Sequence, residues 1–199
     1  GIFDSFRNRV MFPIIDLRGN IIAFGGRVLD DSLPKYINSS DTPVFKKSRN
    51  LFSLNFAKNS SSKRLILAEG YMDVIALNQA GFENTVATLG TALTQEQSRI
   101  MSNYAKEVII AYDSDSAGQN AAHKAINLLG NVGITVRVLK MNGAKDPDEF
   151  IKKFGADRFR RLIERSDGAV NFELEKCRQG LDIASDTGKV EYLKRASAM

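Results

Sequence analysis

The sequence predicts an α/β chain: a mainly parallel sheet flanked by helices, preceded by part of a small basic α+β region and followed by a helical segment. Three observations carry this expectation. Strand-like and helix-like patterns alternate strictly after Lys63, which calls for crossover connections and a parallel sheet. The strand-like runs are continuously apolar, as in Leu65-Ile66-Leu67 and Val108-Ile109-Ile110, the pattern of strands covered on both faces. From Asp148 onward the chain is charged and helical in pattern, with no further strand.

Taken in order, Val10 to Ile15 and Ile21 to Val28 are apolar runs separated by turn residues, a hairpin signal. Asp30 to Asn50 lacks periodicity and reads as a loop, and Lys58 to Lys63 is polar enough to mark a boundary. Beyond it the pattern predicts strands at 65–69, 85–89, 107–112 and 134–140, with helices at about 72–80, 94–105 and 116–130. Thr94 with Gln97 forms a capping-box pattern, and Asp146 before Pro147 places a cap with proline at the first helical position. The expected division is 1–62, 63–147 and 148–199. Gly1 opens directly into a Phe3 to Val10 segment and the last residues read as an unfinished helix, so the polypeptide reads as excised from a longer one.

A chain of 199 residues, 43% of them hydrophobic, is long enough for one core of ordinary size. Its 28 Lys and Arg against 23 Asp and Glu give a net charge of +5, which favours a polyanionic partner. A single cysteine, Cys177, excludes an internal disulfide, and with His123 as the one histidine there is no Cys/His zinc site. Cys177 reads as inert and His123 as a surface residue of a helix. No run approaches the ~18–20 apolar residues of a membrane span and no signal-peptide pattern opens the chain. The expectation is a cytoplasmic protein with no membrane contact.

Carboxylates recur where strands end. Glu69 follows one strand, Asp113 and Asp115 another, and Asp146, Asp148 and Glu149 a third. In a parallel sheet these positions share the crevice beyond the carboxyl ends of the strands. Alternate residues of an extended segment point the same way, so Asp113 and Asp115 can chelate one ion or bridge two. Hard oxygen ligands select Mg²⁺ or Mn²⁺, ions that principally handle phosphates. The competing reading is local, with Asp113, Asp115 and Asp146 as helix caps and Glu69 as a solvated loop acid.

Four segments, Glu69-Gly70-Tyr71-Met72-Asp73, Ala87-Thr88-Leu89-Gly90-Thr91, Tyr112 to Gly118 and Lys145-Asp146-Pro147-Asp148, closely resemble the toprim domain of bacterial DNA primases in order and spacing. Upstream, Arg9 to Ile14, Phe24 to Val28 and Pro34 to Ser39 resemble the basic subdomain specific to primases. The resemblance covers nearly the whole chain. It implies a toprim fold for 63–147, with Glu69, Asp113 and Asp115 catalytic, Glu69, Asp113, Asp115, Asp146 and Asp148 as metal ligands, and Asp73 as a supporting acid. It implies nucleotide contacts at Arg27, Lys35, Tyr36, Asn38 and Lys47, and template contacts at Arg7, Arg9, Lys46 and Arg49. Family members also carry an amino-terminal zinc-binding domain and a carboxy-terminal helicase-interacting domain, neither of which is in this sequence.

The implied activity is nucleotidyl transfer, making RNA primers from ribonucleoside triphosphates on single-stranded DNA for replication. Implied partners are the template, the triphosphates, the RNA product and, through the domain not present, the replicative helicase. The same chemistry suits regulatory guanosine polyphosphates. Two alternatives share the acidic pattern: a toprim nuclease or topoisomerase, with Tyr36, Tyr71, Tyr104, Tyr112 or Tyr192 as nucleophile, and a non-catalytic nucleotide- or partner-binding module. Gly25-Gly26 lacks the rest of a phosphate-loop pattern and reads as close backbone approach in a strand.

Overall fold

A computed structural model describes residues 4–198, so Gly1 to Phe3 of the opening segment and Met199 of the closing one lie outside the described residues. The chain opens with an antiparallel hairpin, β1 (Arg9–Ile15) and β2 (Ile21–Val28), with a register shift at Ile14/Ile15. Asp16 closes its loop by accepting from the backbone N–H of Arg18 and of Asn20, each at 2.8 Å. A third strand, β3 (Tyr36–Asn38), pairs with β2. The sequence carries no sign of it, because three residues hold no period and only the register with Gly25, Gly26 and Arg27 makes them a strand.

A short 3₁₀ turn (Lys47–Arg49) and α1 (Leu54–Ala57) lead to the second sheet. Its elements are β4 (Arg64–Ala68), α2 (Tyr71–Gln79), β5 (Thr85–Ala87), α3 (Gln95–Ser102), β6 (Glu107–Ala111), α4 (Ser116–Gly130) and β7 (Thr135–Val138). The last strand, β8 (Asp167–Gly168), joins antiparallel to β7 and corrects the expectation of no strand after Asp148. Strand order is β5-β4-β6-β7-β8, parallel throughout the first four strands. β8 forms where the Arg137 guanidinium, at the sheet edge, donates to the carbonyls of Glu164 and Ser166. Helices α5 (Pro147–Glu164), α6 (Ala169–Arg178) and α7 (Asp186–Ser197) complete the chain, with α5 broken at Gly155, whose φ is 77°.

Alternation along the buried strands builds two apolar layers. Leu65, Leu67, Val108 and Ile110 meet Ala122, Ala125 and Leu129 of α4, while Ile66 and Ile109 meet Leu77 of α2 and Phe150, Phe159 and Ile163 of α5. A third cluster, with Phe12, Ile14, Ala23, Phe45, Tyr71 and Leu89, fastens the hairpin to the larger sheet. Phe52 adds a backbone bridge to Ala87, covering the β5 edge. A Cβ on Gly25 would stand 2.6 Å from the Tyr71 ring, so the close backbone approach read from Gly25-Gly26 is found. No helix among the described residues is long and apolar enough to cross a membrane.

Candidate metal and nucleotide site

Parallel strands deliver the acids to one edge. Glu69 follows β4, Asp113 and Asp115 follow β6, and Asp146 and Asp148 lie at the start of α5 beyond β7. Glu69 Oε1 accepts the Asp113 backbone N–H at 3.0 Å, tying the β4 and β6 ends together. Gly118 makes that approach possible, because a Cβ there would lie 2.2 Å from the Asp113 carbonyl oxygen and 2.9 Å from Glu69 Oε1. Ser114 fastens the third strand end, its N–H donating to the Lys145 carbonyl at 2.8 Å and its hydroxyl to the Ala144 carbonyl at 3.0 Å.

Two of the acids are also caps. Asp115 Oδ1 accepts from Gly118 N–H at 2.8 Å and Asp146 Oδ1 from Glu149 N–H at 2.7 Å, so the local and the clustered readings both describe them. Capping uses one oxygen of each carboxylate, and the other oxygen of Asp146 stands 3.6 Å from Lys145 Nζ. Asp113 caps no helix among the described residues, and Glu69 is half-buried rather than solvated.

The electrostatics record the crowding. Burial raises the Glu69 carboxyl above its ordinary value, with Asp113 and Asp115 adding repulsion against the relief of the Asp113 N–H. Burial also raises Asp113, followed by repulsion from Asp146 and Asp115, with Lys145 opposing. Asp73, on the first turn of α2, is pushed up to about 7 by burial and then by Asp146 and Asp113. Its Oδ1 meets the Asp148 N–H at 3.4 Å. Asp148 itself is held by Lys152 at 2.6 Å, a partner visible in the sequence only as an i, i+4 pair.

Among the described residues no three of the His, Cys, Asp and Glu side chains close into a ready cage for an ion. The donor set is nevertheless that of a hard divalent cation: oxygens only and mutually repelling, half-buried except at the exposed Asp115, with lysine partners on Asp146 and Asp148. The acids stand as linked pairs, Glu69 with Asp113, Asp113 with Asp146, Asp146 with Asp73.

The basic hairpin faces this edge. The Tyr36 hydroxyl is raised first by burial, is lowered by Arg27 and feels both Asp73 and Asp148. Lys152, raised first by its hydrogen bond with Asp148, also feels Asp146 and, in opposition, Arg27. Arg27 lies beside the Tyr36 ring, 6.0 Å from its centroid, and its buried Nε meets no acceptor among the described residues. Arg27 and Tyr36 are thus brought to the acids.

The other residues expected to meet nucleotide or template divide by what holds them. Asn38 is committed within the protein, accepting from the Tyr71 hydroxyl and donating to the Leu89 carbonyl at 2.9 Å. Arg9 spends its guanidinium on the carbonyls of Gly26, Pro34 and Lys35, strapping β1 to the 34–35 loop. Lys46 makes a loose pair with Asp41 at 3.9 Å. Lys35, Arg49 and Arg7 are exposed, and Lys47 is half-buried. Tyr71, central to the hairpin contact, and Gln97, whose amide donates to the Lys47 and Asn50 carbonyls, are positioning residues, and the capping-box spacing marks Gln97 as a cap without marking this anchoring role. Tyr71 and Tyr112 are buried at 4% and 7% exposure, whereas Tyr36 stands exposed near the acids.

Residues 1–58 match the family model described as the N-terminal domain of the DNA primase catalytic core, and residues 66–151 match one described as Toprim-like. The DNA primase of Clostridium acetobutylicum is 44% identical over 98% of this chain, which spans 33% of that protein's length. A DNA primase domain from Pseudomonas aeruginosa superposes with a TM-score of 0.85 and 41% identity, over 95% of this chain and 61% of that one. A DnaG primase catalytic domain bound to single-stranded DNA superposes with a TM-score of 0.83 and 38% identity, over 94% and 61%.

Proposed function

The chain belongs to the bacterial DNA primase catalytic-core family, and from that premise we propose that it carries the nucleotidyl-transfer site of a DNA-dependent RNA primase. The observation that carries this reading is the acidic edge of Glu69, Asp113, Asp115 and Asp146 standing across from Arg27 and Tyr36. A site that joins nucleotides needs acids and cations on opposite walls, the first for metal ions and the second for phosphates.

Glu69, Asp113, Asp115, Asp146 and Asp148 would hold Mg²⁺ or Mn²⁺. The bound ions supply acidification of the primer hydroxyl and neutralisation of the triphosphate and of the departing pyrophosphate. The protein's part is placement. Glu69 fixes the Asp113 loop through its backbone N–H, Ser114 fixes that loop to the Ala144–Lys145 segment, and Asp73 sets the first turn of α5 through Asp148 N–H. Arg27, beside the Tyr36 ring on the wall across from the acids, would meet a phosphate through its guanidinium, and Tyr36 offers a face for a base or sugar. Lys35, Lys47 and Arg49 extend the cationic wall, with Arg7 and Lys46 along the template track. Arg9 and Asn38 serve it by holding the strands in place.

The substrates are ribonucleoside triphosphates and the template is single-stranded DNA, the ligand bound to one of the similar catalytic domains. Guanosine polyphosphates, which offer the same phosphates, would compete with the triphosphates.

The test is primer synthesis from labelled ribonucleotides on single-stranded DNA with Mg²⁺ or Mn²⁺, in a chain extended to the length of its relatives. Asp113→Asn should lower the yield roughly 100-fold or more with an unchanged or raised melting temperature. Full yield from that variant would sink the assignment. Template cutting in place of synthesis would select a toprim nuclease instead.

A further inference from the structure

The later half of α5 borders a groove of about 390 Å³ that shares no lining residue with the acids or with the basic hairpin. Arg158, Arg161 and Arg165 line it from the helix and Lys140 and Asn142 from the segment after β7, with the buried Phe150 between them in sequence. Spacings of three and four residues place the arginines on one stripe of the helix. At 1.5 Å of rise per residue that stripe is about 10 Å long.

The stripe is uncompensated. Other exposed cations of α5 have acids: Lys152 pairs with Asp148 at 2.6 Å, Lys153 with Glu149 at 2.7 Å and Arg160 with Asp157 at 3.0 Å. Arg158, Arg161 and Arg165 close no ion pair among the described residues. Lys140, across the groove, is spent on Glu175 and on Asp167 at 2.6 Å, so the arginines set the charge of the groove. Like charges three and four residues apart repel. A cation in the last turn complements the carbonyl end of a helix, which accounts for Arg161 or Arg165 but not for Arg158. That guanidinium instead lies 4.7 Å from the centre of the Phe154 ring, a contact that limits its freedom.

Guanidinium forks suit phosphate oxygens. A single small anion needs cations that converge on one point, whereas a linear stripe suits phosphates in a row. A strand rising 3.4 Å per nucleotide sets about three phosphates along 10 Å. The groove also adjoins the acidic edge, because Lys140 and Asn142 line both it and the cleft that reaches Asp113 and Ser114.

We propose that Arg158, Arg161 and Arg165 are a second nucleic-acid contact, holding the phosphate backbone of single-stranded DNA that passes from the acidic edge across the 140–142 segment. This rests on the template-directed reading given above and adds to it a surface separate from the hairpin cations. The contact is to phosphate and carries no base preference.

The experiment is fluorescence anisotropy of a labelled oligothymidylate titrated with the chain in metal-free buffer at several salt concentrations. With Arg158→Gln, Arg161→Gln and Arg165→Gln combined, affinity should fall roughly tenfold or more at low salt, and the slope of log affinity against log salt should flatten by about 2, three contacts at about 0.7 each. Lys189→Gln, Lys194→Gln and Arg195→Gln combined, on α7, remove the same charge elsewhere and should leave the slope unchanged and the affinity within about twofold. All three arginines are exposed, and equal melting temperatures confirm that the fold is retained. A triple variant of α5 with wild-type affinity and slope overturns the proposal. So does an equal loss in the α7 control, which would reduce the effect to net charge. The readout needs no synthesis: failure of primer synthesis with the arginine effect intact would sink the catalytic assignment and leave this contact standing.

Discussion

Asp73 is the carboxylate whose environment departs furthest from water. Its folded-state value of about 7 against an ordinary 3.8 means that the folded chain keeps the proton over a range where the unfolded chain has lost it. Between these values the unfolded state binds fewer protons, so stability falls as pH rises from about 4 to about 7 and then stays low. A gap of about three pH units corresponds to an upper bound of about 4 kcal/mol. Asp73→Asn keeps an acceptor for Asp148 N–H and removes the charge. It should raise the melting temperature at pH 8 and raise it far less near pH 4, where the folded chain already holds Asp73 neutral. Scanning calorimetry at the two pH values decides the matter, and a stabilisation independent of pH would show that the acid's charge is not the cause.

At the scale of elements, α3 shows how a local signal acquires a distant role. Thr94 and Gln97 form the capping box that their spacing announces, with Thr94 Oγ1 accepting from Gln97 N–H and Gln97 Oε1 accepting from Thr94 N–H. The Gln97 amide nitrogen then donates to Lys47 and Asn50, and Thr94 Oγ1 donates to Ser48 at 2.6 Å, so the cap also anchors the basic turn. Gln97 is fully buried. Gln97→Ala should cost about 2–4 kcal/mol, because it strands two carbonyls and one N–H. Urea unfolding measures the loss, and hydrogen exchange should find the 47–50 amides opening before the sheet. The same contrast explains what was legible in the sequence. Periodicity and caps are encoded within a few residues, so α4 starts at Ser116 and ends at Gly130 as its pattern predicts. β3, β8 and the Gln97 anchor depend on partners far along the chain, and a pattern confined to their own residues cannot express them. For the candidate site, the acids were legible because each follows a strand, while the facing of Arg27 and Tyr36 toward them needed the folded hairpin.

For the molecule as a whole, the arrangement sets two sheets around a concentration of negative charge that neither can relieve alone. The hairpin is held by Tyr71, whose ring meets Phe12 at 5.5 Å and Phe52 at 4.6 Å, and this contact brings cations to the edge without closing ion pairs on Glu69 or Asp113. Repulsion among the acids therefore remains in the folded chain and is largest where the strands converge. A divalent ion that binds the folded edge and not the unfolded chain relieves it, and stability must rise with ion concentration by mass action. At ten times its dissociation constant the ion contributes about 1.4 kcal/mol, which for a chain of this size raises the melting temperature by roughly 3–6 °C. Mg²⁺ or Mn²⁺ titrated against a chelator-treated sample should produce that rise, and Ca²⁺ serves as the test of ion size. In Asp113→Asn the metal-free protein should start at the same or a higher melting temperature and gain little from the ion, since both the repulsion and one ligand are gone. A rise of equal size in wild type and variant would assign the ion to the general surface and leave the acidic edge without its counter-charge.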